Sequence, residues 1–230
     1  MLYMEEGIIV CTDQQLIDLY ESALHRVIER GWGDEVQYFR GLTFDKVDGR
    51  FFFRECAFCV YAAGFSNYVL NSKWEGLTKA YKNWSYEKVC QYADEVRNQA
   101  LGFIHHEGKV KAILECAEKL NDWGWPSFRD WLQSMNLLIQ PGQLKYIGQA
   151  ARYHLARNIG ANVAKPDRYM LDHASECGYP PTDEGVQQFA RRVARLVGDR
   201  VGVVDYVLWR DNEGSYYKGS LRSKRMEHDT

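Results

Sequence analysis

Apolar residues along this chain recur mainly at three- and four-residue intervals, the spacing that places them on one face of an α-helix. The first run follows Thr12, which forms a capping-box pattern with Gln15, and it stops at Gly31. The same periodicity predicts helices at five further places: residues 73–81, 86–98, 109–121, from Pro126 onward, and after Thr182. No segment alternates apolar and polar residues as a half-buried strand does, so the predicted fold class is all-α.

Two neighbouring segments depart from this simple pattern. Residues 51–70 are apolar on nearly every side, which predicts a buried helix at the centre of the fold. Residues 31–50 contain four glycines among charged residues, and we expect a loop with a short extended piece there. The central helix and the amphipathic helices around it would then bury one another.

The composition is that of a folded globular protein. Apolar residues make up 46% of the chain, which also holds 7 Trp, 15 Tyr and 10 Phe. These values exclude the low-hydrophobicity, high-charge composition of disordered chains. A length of 230 residues suffices for one core or for two small lobes. We expect a single compact unit that acts as a monomer.

The net charge and its distribution point in different directions. A formal net charge of −2 argues against a strongly basic nucleic-acid-binding domain. Between residues 144 and 168, however, Asp167 is the one acidic residue beside a set of basic residues: Lys145, Arg152, Arg157, Lys165 and Arg168. A second basic run without acidic residues lies near the C-terminus: Lys218, Arg222, Lys224 and Arg225. A local basic surface therefore remains compatible with the sequence.

The chain shows no sign of a membrane or of an oxidising compartment. Its first residues are acidic where a signal peptide is basic, and no segment has membrane-spanning length. We therefore expect an intracellular, cytoplasmic protein without a membrane partner. The six cysteines are scattered, as reduced thiols are, and Cys56 and Cys59 are expected in the core of the central helix. Metal-ligand spacings and glycine-rich phosphate loops are missing, so no metal and no cofactor are expected.

Two predicted helices joined by a tight turn form the first candidate site. We expect one helix to end near Leu144 and a second to cover residues 149–158, with a turn that ends at Gly148 between them. Free N–H groups at the start of the second helix favour an anion such as a DNA phosphate, and Lys145 and Arg152 add positive charge. An ordinary helical hairpin with solvated basic residues explains the same pattern.

Asp167 is the second candidate. It follows Pro166, and the apolar residues after it predict a helix that begins there. The helix dipole and the neighbouring Lys165 and Arg168 stabilise its ionised carboxylate. Proline followed by aspartate is also a common structural helix start, so this pattern taken alone is compatible with a purely structural role.

Taken in order, these features resemble the HhH-GPD superfamily of DNA base-excision glycosylases. That superfamily has a helix-hairpin-helix, a Gly/Pro-rich loop and then an obligatory aspartate about twenty residues after the hairpin. The matching parts here are the hairpin 144–148 (LKYIG), the loop 160–166 (GANVAKP) and Asp167. Upstream, FRECAFCVYAAGFSNYVLNSKWEGLTKAY is similar to the helix and turn that insert side chains into the duplex, and HHEGKVKAILECAEKL to the following helix. The resemblance covers about residues 50–210.

Departures from the superfamily pattern narrow the implied chemistry. Tyr146 stands where the hairpin usually has its first glycine, so a different side-chain packing is expected in the turn. Bifunctional members carry a Schiff-base lysine two residues after the last hairpin glycine, where this chain has Ala150. The four-cysteine iron–sulfur cluster of some members is missing too, since the C-terminal region holds only Cys177. The resemblance thus implies base removal without strand cleavage.

The resemblance also implies an architecture and a set of contacts. Two helical lobes would flank a cleft, lobe one at about residues 52–160 and lobe two at about 1–51 plus 161–230. Double-stranded DNA would be the partner, with a modified base flipped into the cleft. Asp167 would stabilise the developing sugar cation and orient the attacking water. The implied DNA contacts are Lys145, Tyr146, Ile147, Gly148, Gln149, Arg152, Lys165 and Arg168, with Phe65 and Asn67 in the vacated stack.

The aromatic residues of the chain bear on which base would be excised. An aromatic pocket favours a cationic alkylated purine, which needs little acid assistance to leave. The candidate pocket residues are Trp32, Phe52, Glu55, Tyr61, Trp123 and Trp125. Glu55 is either a pocket acid or a solvated residue of the central helix, and core packing explains the aromatics equally well. Two other functions compete: a non-catalytic helix-hairpin-helix DNA-binding or damage-sensing protein, and a helical enzyme unrelated to DNA.

Overall fold

The computed structural model describes residues 11–65, 67–140 and 142–213, and of Asn67 it describes the backbone. In this part of the chain all regular secondary structure is helical. It includes two short 3-10 helices at Phe44–Lys46 and Lys82–Trp84 and contains no strand, which confirms the all-α prediction. The α-helices are α1 (Asp13–Glu29), α2 (Gly33–Gly41), α3 (Gly49–Ala62), α4 (Asn67–Ala80), α5 (Tyr86–Gln91), α6 (Ala93–Phe103), α7 (Glu107–Ser134), α8 (Gln149–Asn158), α9 (Arg168–Glu176), α10 (Asp183–Val197) and α11 (Val201–Asn212).

The chain divides into two compact units. The terminal unit comprises Met1–Leu42 and Asn162–Thr230, and the central unit comprises Thr43–Ala161. The basic run that begins at Lys218 lies outside the described residues, as do residues 1–10. None of the helices in the described part is long and apolar enough to cross a membrane.

The terminal unit consists of α1, α2, α9, α10 and α11, packed mainly against one another. α1 begins at the predicted capping box, where the Gln15 N–H donates to Thr12 Oγ1 at 3.3 Å and the Thr12 N–H donates to Gln15 Oε1 at 2.8 Å. α10 begins after Thr182, as predicted, and buries its apolar face. α11 was not predicted, because it is buried on nearly all sides, has no polar stripe, and its N-cap residue Arg200 makes no capping hydrogen bond.

The prediction of a loop over residues 31–50 was wrong. The segment contains α2 and a 3-10 helix instead. Two of its glycines, Gly33 and Gly41, lie at the ends of α2, where their low helix propensity costs little. Inside α2, Phe39 packs against Tyr206 of α11 with 4.7 Å between ring centroids. Burial against α11 therefore stabilises a helix in a segment whose glycine content favours a loop.

The central helix α3 is buried as predicted, but it ends at Ala62 rather than near Leu70. Ala63 is extended and Gly64 has φ +89°, a left-handed conformation that a right-handed helix cannot continue through. α4 then starts at Asn67. The apolar pattern runs across this break because both helices contribute to one core, so periodicity alone did not reveal the turn.

Two other helix boundaries also differ from the prediction. The expected helix over residues 86–98 is divided into α5 and α6 at Tyr92, whose ψ of 35° is not helical. The expected helices at 109–121 and from Pro126 onward are joined in α7, which bends at Gly124 (φ 70°, ψ 153°). Pro126 follows this bend and so occupies the start of a new run of helical turns, where a missing N–H is tolerated.

The first helix of the predicted hairpin is not found among the described residues. No helix in the described part of the chain ends near Leu144, since α7 already stops at Ser134. In the segment after α7, three residues have positive φ values, which a right-handed helix excludes: Asn136 (51°), Leu137 (63°) and Gly142 (90°). The second predicted helix is present as α8 with the expected bounds, and Ile147, just before it, is buried.

Gly160 closes the central unit at a point where no side chain fits. Its φ is +95°, and a Cβ would lie 2.7 Å from both the amide nitrogen of Phe44 and the carbonyl carbon of Thr43. Gly64, in the same unit, has φ +89° but nothing within 4 Å of a Cβ. Gly64→Ala should cost about 1–2 kcal/mol of unfolding free energy from backbone strain. Gly160→Ala should cost about 1–3 kcal/mol more, because backbone atoms must move.

Urea denaturation of the two variants checks this difference. Because both glycines have nearly the same φ, backbone strain cancels in the comparison and the steric contact remains. Equal losses of unfolding free energy in the two variants would contradict the close approach of Gly160 to residues 43 and 44.

Candidate functional site

Asp167 occupies the N-cap position of α9, in the terminal unit. Its Oδ1 accepts a hydrogen bond from the Met170 N–H at 3.2 Å, which confirms that a helix begins there. Its Oδ2 lies 3.5 Å from Lys165 Nζ, and 17% of the Asp167 side chain remains exposed. The carboxylate is thus oriented by one backbone donor and one cation while part of it stays accessible to solvent.

The loop that leads to Asp167 is held by side chains from distant helices. Gln187, buried in α10, donates from Nε2 to the Ala164 carbonyl at 2.6 Å and accepts from the Ala164 N–H at 3.1 Å. Asn162 Oδ1 accepts from the Val201 N–H at 2.8 Å and so caps the start of α11. Sequence reasoning missed both residues. The available signal was a glutamine on the otherwise apolar face of α10.

Two basic residues beside Asp167 behave differently. Lys165 is half-buried and forms the ion pair with Asp167. Arg168 is exposed, and its guanidinium lies over the Tyr169 ring at 4.9 Å and donates to the Tyr169 hydroxyl at 3.1 Å. Lys165 is therefore tied to the carboxylate, whereas Arg168 is directed to its own helix neighbour.

The turn before α8, in the central unit, keeps a backbone conformation typical of glycine although a tyrosine is present. Tyr146 has φ +62°, and the Ile147 N–H closes the turn on the Leu144 carbonyl at 3.2 Å. Gly148 is the N-cap of α8, and a glycine has no side chain with which to cap this end of the helix. The first N–H groups of α8 and its dipole therefore present partial positive charge at the turn.

The basic residues expected around this turn have diverse environments. Lys145 Nζ is 2.7 Å from Glu115 Oε1. Arg152 lies over its neighbour Tyr153 at 4.9 Å from the ring centroid. Arg157 is buried and bonded to Asn158, so it does not belong to a solvated basic face. Gln149, the first residue of α8, is exposed.

Lys109 lies buried beneath this turn. Its Nζ donates to the carbonyl oxygens of Val60 (2.8 Å), Tyr61 (3.1 Å) and Ala63, at the C-terminus of α3. Burial lowers the pKa of Lys109 to about 8, so the ammonium form still predominates at neutral pH. The predicted helix over residues 109–121 begins at this lysine, but its partners in α3 lie about fifty residues earlier in the chain and were not predicted.

Glu55 is fully buried between α3 and α8, so the alternative that it is a solvated residue is wrong. Its Oε2 accepts from Asn158 Nδ2 at 2.8 Å, and its Oε1 lies 3.4 Å from Arg54 Nε. Asn158 in turn accepts from Arg157 Nη2 at 3.3 Å. These four residues form a buried polar chain that joins the central helix to the helix after the turn.

The structure brings three of the aromatic pocket candidates together. Phe52 and Trp125 have ring centroids 6.0 Å apart, and both pack on Phe128. Trp123, 43% exposed, also contacts Phe128, at 5.7 Å. Lys119 Nζ lies 5.7 Å from the Trp123 ring centroid, so a cation of the chain itself already occupies a position over this ring.

The other two aromatic candidates have separate environments. Tyr61 is fully buried in the central unit, and its hydroxyl is 2.7 Å from that of Tyr81. Trp32 belongs to the terminal unit, is nearly buried, and has the Arg210 guanidinium 3.9 Å from its ring centroid. Phe65 is half-buried, next to Lys109, and the side chain of Asn67 lies outside the described part.

The cysteines of the central helix are core residues, as predicted. Cys56 and Cys59 are buried free thiols. Cys56 Sγ lies 3.5 Å from Cys116 Sγ, and this hydrogen bond together with burial raises the pKa of the Cys56 thiol. Among the described residues no group of three His, Cys, Asp or Glu side chains is placed to hold a metal ion.

Comparison of the chain with known protein families, with curated proteins and with solved structures gives no match.

Gln187 gives a test of the loop anchor. Gln187→Leu should lower the unfolding free energy by about 1–3 kcal/mol, because the buried N–H and C=O groups of Ala164 lose their partners. Its neighbour Gln188 is exposed on the same helix, and Gln188→Leu should change stability by less than about 0.5 kcal/mol. Urea denaturation of both variants measures the difference. Equal stabilities would argue against the anchoring role of Gln187.

The buried hydroxyl pair predicts a loss of stability in alkali. Burial raises the pKa of Tyr61 to about 12 and that of Tyr81 well above its ordinary value. Below about pH 10 both tyrosines are protonated in folded and unfolded chains, and their contribution is fully present. Between about pH 10 and 12 the unfolded chain loses these protons first, so stability falls.

The double variant Tyr61→Phe, Tyr81→Phe isolates this contribution. The unfolding free energy of the unchanged protein should fall more steeply above pH 10 than that of the double variant, with parallel curves between pH 7 and 9. Parallel curves throughout the alkaline range would show that the pair does not hold its protons in the folded state.

Proposed function

We propose that this protein is a monofunctional DNA N-glycosylase that flips a modified base from duplex DNA and hydrolyses its N-glycosidic bond, as a step of base excision repair. The observation that carries the proposal is the setting of Asp167. A partly exposed carboxylate follows the Gly/Pro-containing loop, is oriented by the Met170 N–H, and lies near Lys165. The loop before it is fixed by Gln187, whose side chain bonds both the N–H and the carbonyl group of Ala164.

This setting suits stabilisation of a sugar cation. As the base departs, positive charge develops on the sugar, and a fixed anionic carboxylate lowers the free energy of that transition state. The same carboxylate accepts a hydrogen bond from the attacking water and directs it to the sugar carbon. Preorganisation by Met170 and Lys165 means that little reorientation is required during the reaction.

The turn before α8 supports DNA as the partner. The N-terminus of α8, where the N-cap Gly148 has no side chain, favours an anion, and a DNA phosphate is the anion that the resemblance implies. Ala150 follows in the first turn of α8, where a bifunctional enzyme would carry its amine nucleophile. The proposed enzyme therefore leaves an abasic site with an intact strand.

An alkylated purine is the substrate that we favour. Of the candidate pocket residues, Glu55 and Tyr61 are the two with a transferable proton. Both side chains are buried in the central unit, and each is already hydrogen-bonded to another side chain there. A neutral base needs a proton donor in order to leave, whereas a base with a positive charge does not. The surroundings of these two residues therefore favour a cationic base.

Asp167→Asn tests the proposal with a matched control. Asparagine caps helices as well as aspartate does, so the variant should keep its stability while it loses the negative charge. Base release should fall at least about 100-fold, the usual effect of removing one electrostatic contact to a transition state. Asp48, the N-cap of α3, accepts from the Phe51 N–H at 2.7 Å, and Asp48→Asn should leave base release unchanged.

The assay uses duplexes with alkylated, oxidised, deaminated and hypermodified bases. Mass spectrometry detects the released base, and alkaline cleavage detects abasic sites. Equal release by Asp167→Asn would remove Asp167 from the mechanism, and strand cleavage without alkali would contradict the monofunctional assignment. If no duplex releases a base although DNA is bound, the non-catalytic DNA-binding or damage-sensing function replaces the enzyme.

A further inference from the structure

Lys109 lies where the end of α3, the start of α7 and the turn before α8 meet in the central unit. Its ammonium group bonds to the carbonyl groups of Val60, Tyr61 and Ala63 at the end of α3, although Lys109 itself belongs to the first turn of α7. Only 3% of this side chain is exposed. A buried charge held by three acceptors is a fixed point, because any displacement would leave it without hydrogen bonds in a poorly solvated place.

Two aromatic rings lie beside this fixed charge. The Lys109 Nζ is 4.8 Å from the ring centroid of Phe65 and 6.0 Å from that of Tyr146, both within the range of cation–π attraction. Phe65 comes from the turn after α3, and Tyr146 comes from the turn before α8. One ammonium group thus holds two rings from segments that are far apart in the sequence.

Tyr146 is further fixed by the start of α7. A Cβ at Gly108 would collide with the Tyr146 hydroxyl, so the tyrosine lies directly on that glycine. The ring of His106, the N-cap of α7, meets the Tyr146 ring edge-on with 5.6 Å between centroids. Tyr146 nevertheless keeps 42% of its surface exposed. It is an immobilised aromatic side chain with a free surface.

We propose that Phe65 and Tyr146, held by Lys109 as a positioning residue, form a stacking platform for an unstacked nucleobase of opened duplex DNA. This inference rests on the proposed function and names a contact of the same protein with DNA. The electrostatics around Tyr146 argue for the ligand: its ring centroid lies 6.0 Å from the Lys109 ammonium, and the N-terminus of α8 begins two residues further on at Gly148. Aromatic stacking together with attraction for an anion suits a nucleotide.

A duplex with a non-hydrolysable abasic analogue and a fluorescent base opposite it is the probe. The fluorescent base is unstacked in this duplex, and its emission should be quenched when it stacks on the protein. Tyr146→Leu and Phe65→Leu should each weaken binding about tenfold and remove most of the quenching. The proposed platform requires both rings to contact one base, so the double variant should bind no more weakly than either single variant.

Lys109→Gln tests the positioning role. Glutamine keeps an N–H donor for the carbonyl groups but removes the charge beside the rings, so quenching should be lost in a protein that circular dichroism shows to be folded. Matched controls come from Tyr92, which is 45% exposed and has Lys82 Nζ 5.5 Å from its ring centroid. Tyr92→Leu and Lys82→Gln should leave binding and quenching unchanged.

The outcomes separate this inference from the proposed enzyme. Quenching that survives Tyr146→Leu overturns the platform even if the protein releases bases. Quenching that Tyr146→Leu removes supports the platform even if no base is ever released, because the probe requires no hydrolysis. Losses that multiply in the Phe65, Tyr146 double variant would show two independent contacts and would also overturn it. Should Lys109→Gln not fold, this double-variant comparison decides the question.

Discussion

A buried ammonium group organises the central unit. The last carbonyl groups of any α-helix lack partners within the helix, and in α3 they are satisfied by Lys109 from the start of α7. Positive charge at this end also interacts favourably with the helix dipole. Because Phe65 and Tyr146 adjoin the same group, the end of α3, the start of α7 and the turn before α8 depend on one side chain.

In the terminal unit, the loop before Asp167 is likewise fixed by hydrogen bonds from side chains to backbone groups. Within the loop the Asp167 N–H bonds to the Lys165 carbonyl at 2.8 Å, and side-chain hydrogen bonds attach the loop to the rest of the unit. Gln187 links it to α10, and Asn162 links it to the start of α11. A catalytic carboxylate must be held within a fraction of an ångström of its working position. The proposed role of Asp167 therefore depends as much on these amide side chains as on the carboxylate itself.

Tyr146 shows how a departure from a familiar pattern is accommodated. A left-handed conformation costs a residue with a Cβ about 1–2 kcal/mol, which is why glycine is the usual choice. Contacts of the Tyr146 ring with Gly108, His106 and Lys109 offset that cost. The turn therefore has a left-handed residue although that residue is a tyrosine.

Local signals in the sequence determined several elements correctly. The Thr12–Gln15 capping box begins α1, Thr182 begins α10, and Asp167 after Pro166 begins α9, because capping depends on residues only a few positions apart. Two parts of the candidate site could be predicted: the carboxylate of Asp167 at the start of α9, and the start of α8 at Gly148. Their supporting residues, Gln187 and Lys109, could not, since their partners lie far away in the chain.

Only the tertiary structure decided the remaining features. Burial against α11 made a helix of the glycine-rich segment that became α2, and Gly64 with Lys109 ended α3 within an unbroken apolar run. Burial likewise made Glu55 part of a polar chain between α3 and α8 rather than a solvated residue of the central helix. In each case the free energy comes from contacts between distant residues, and periodicity along the chain carries no information about them.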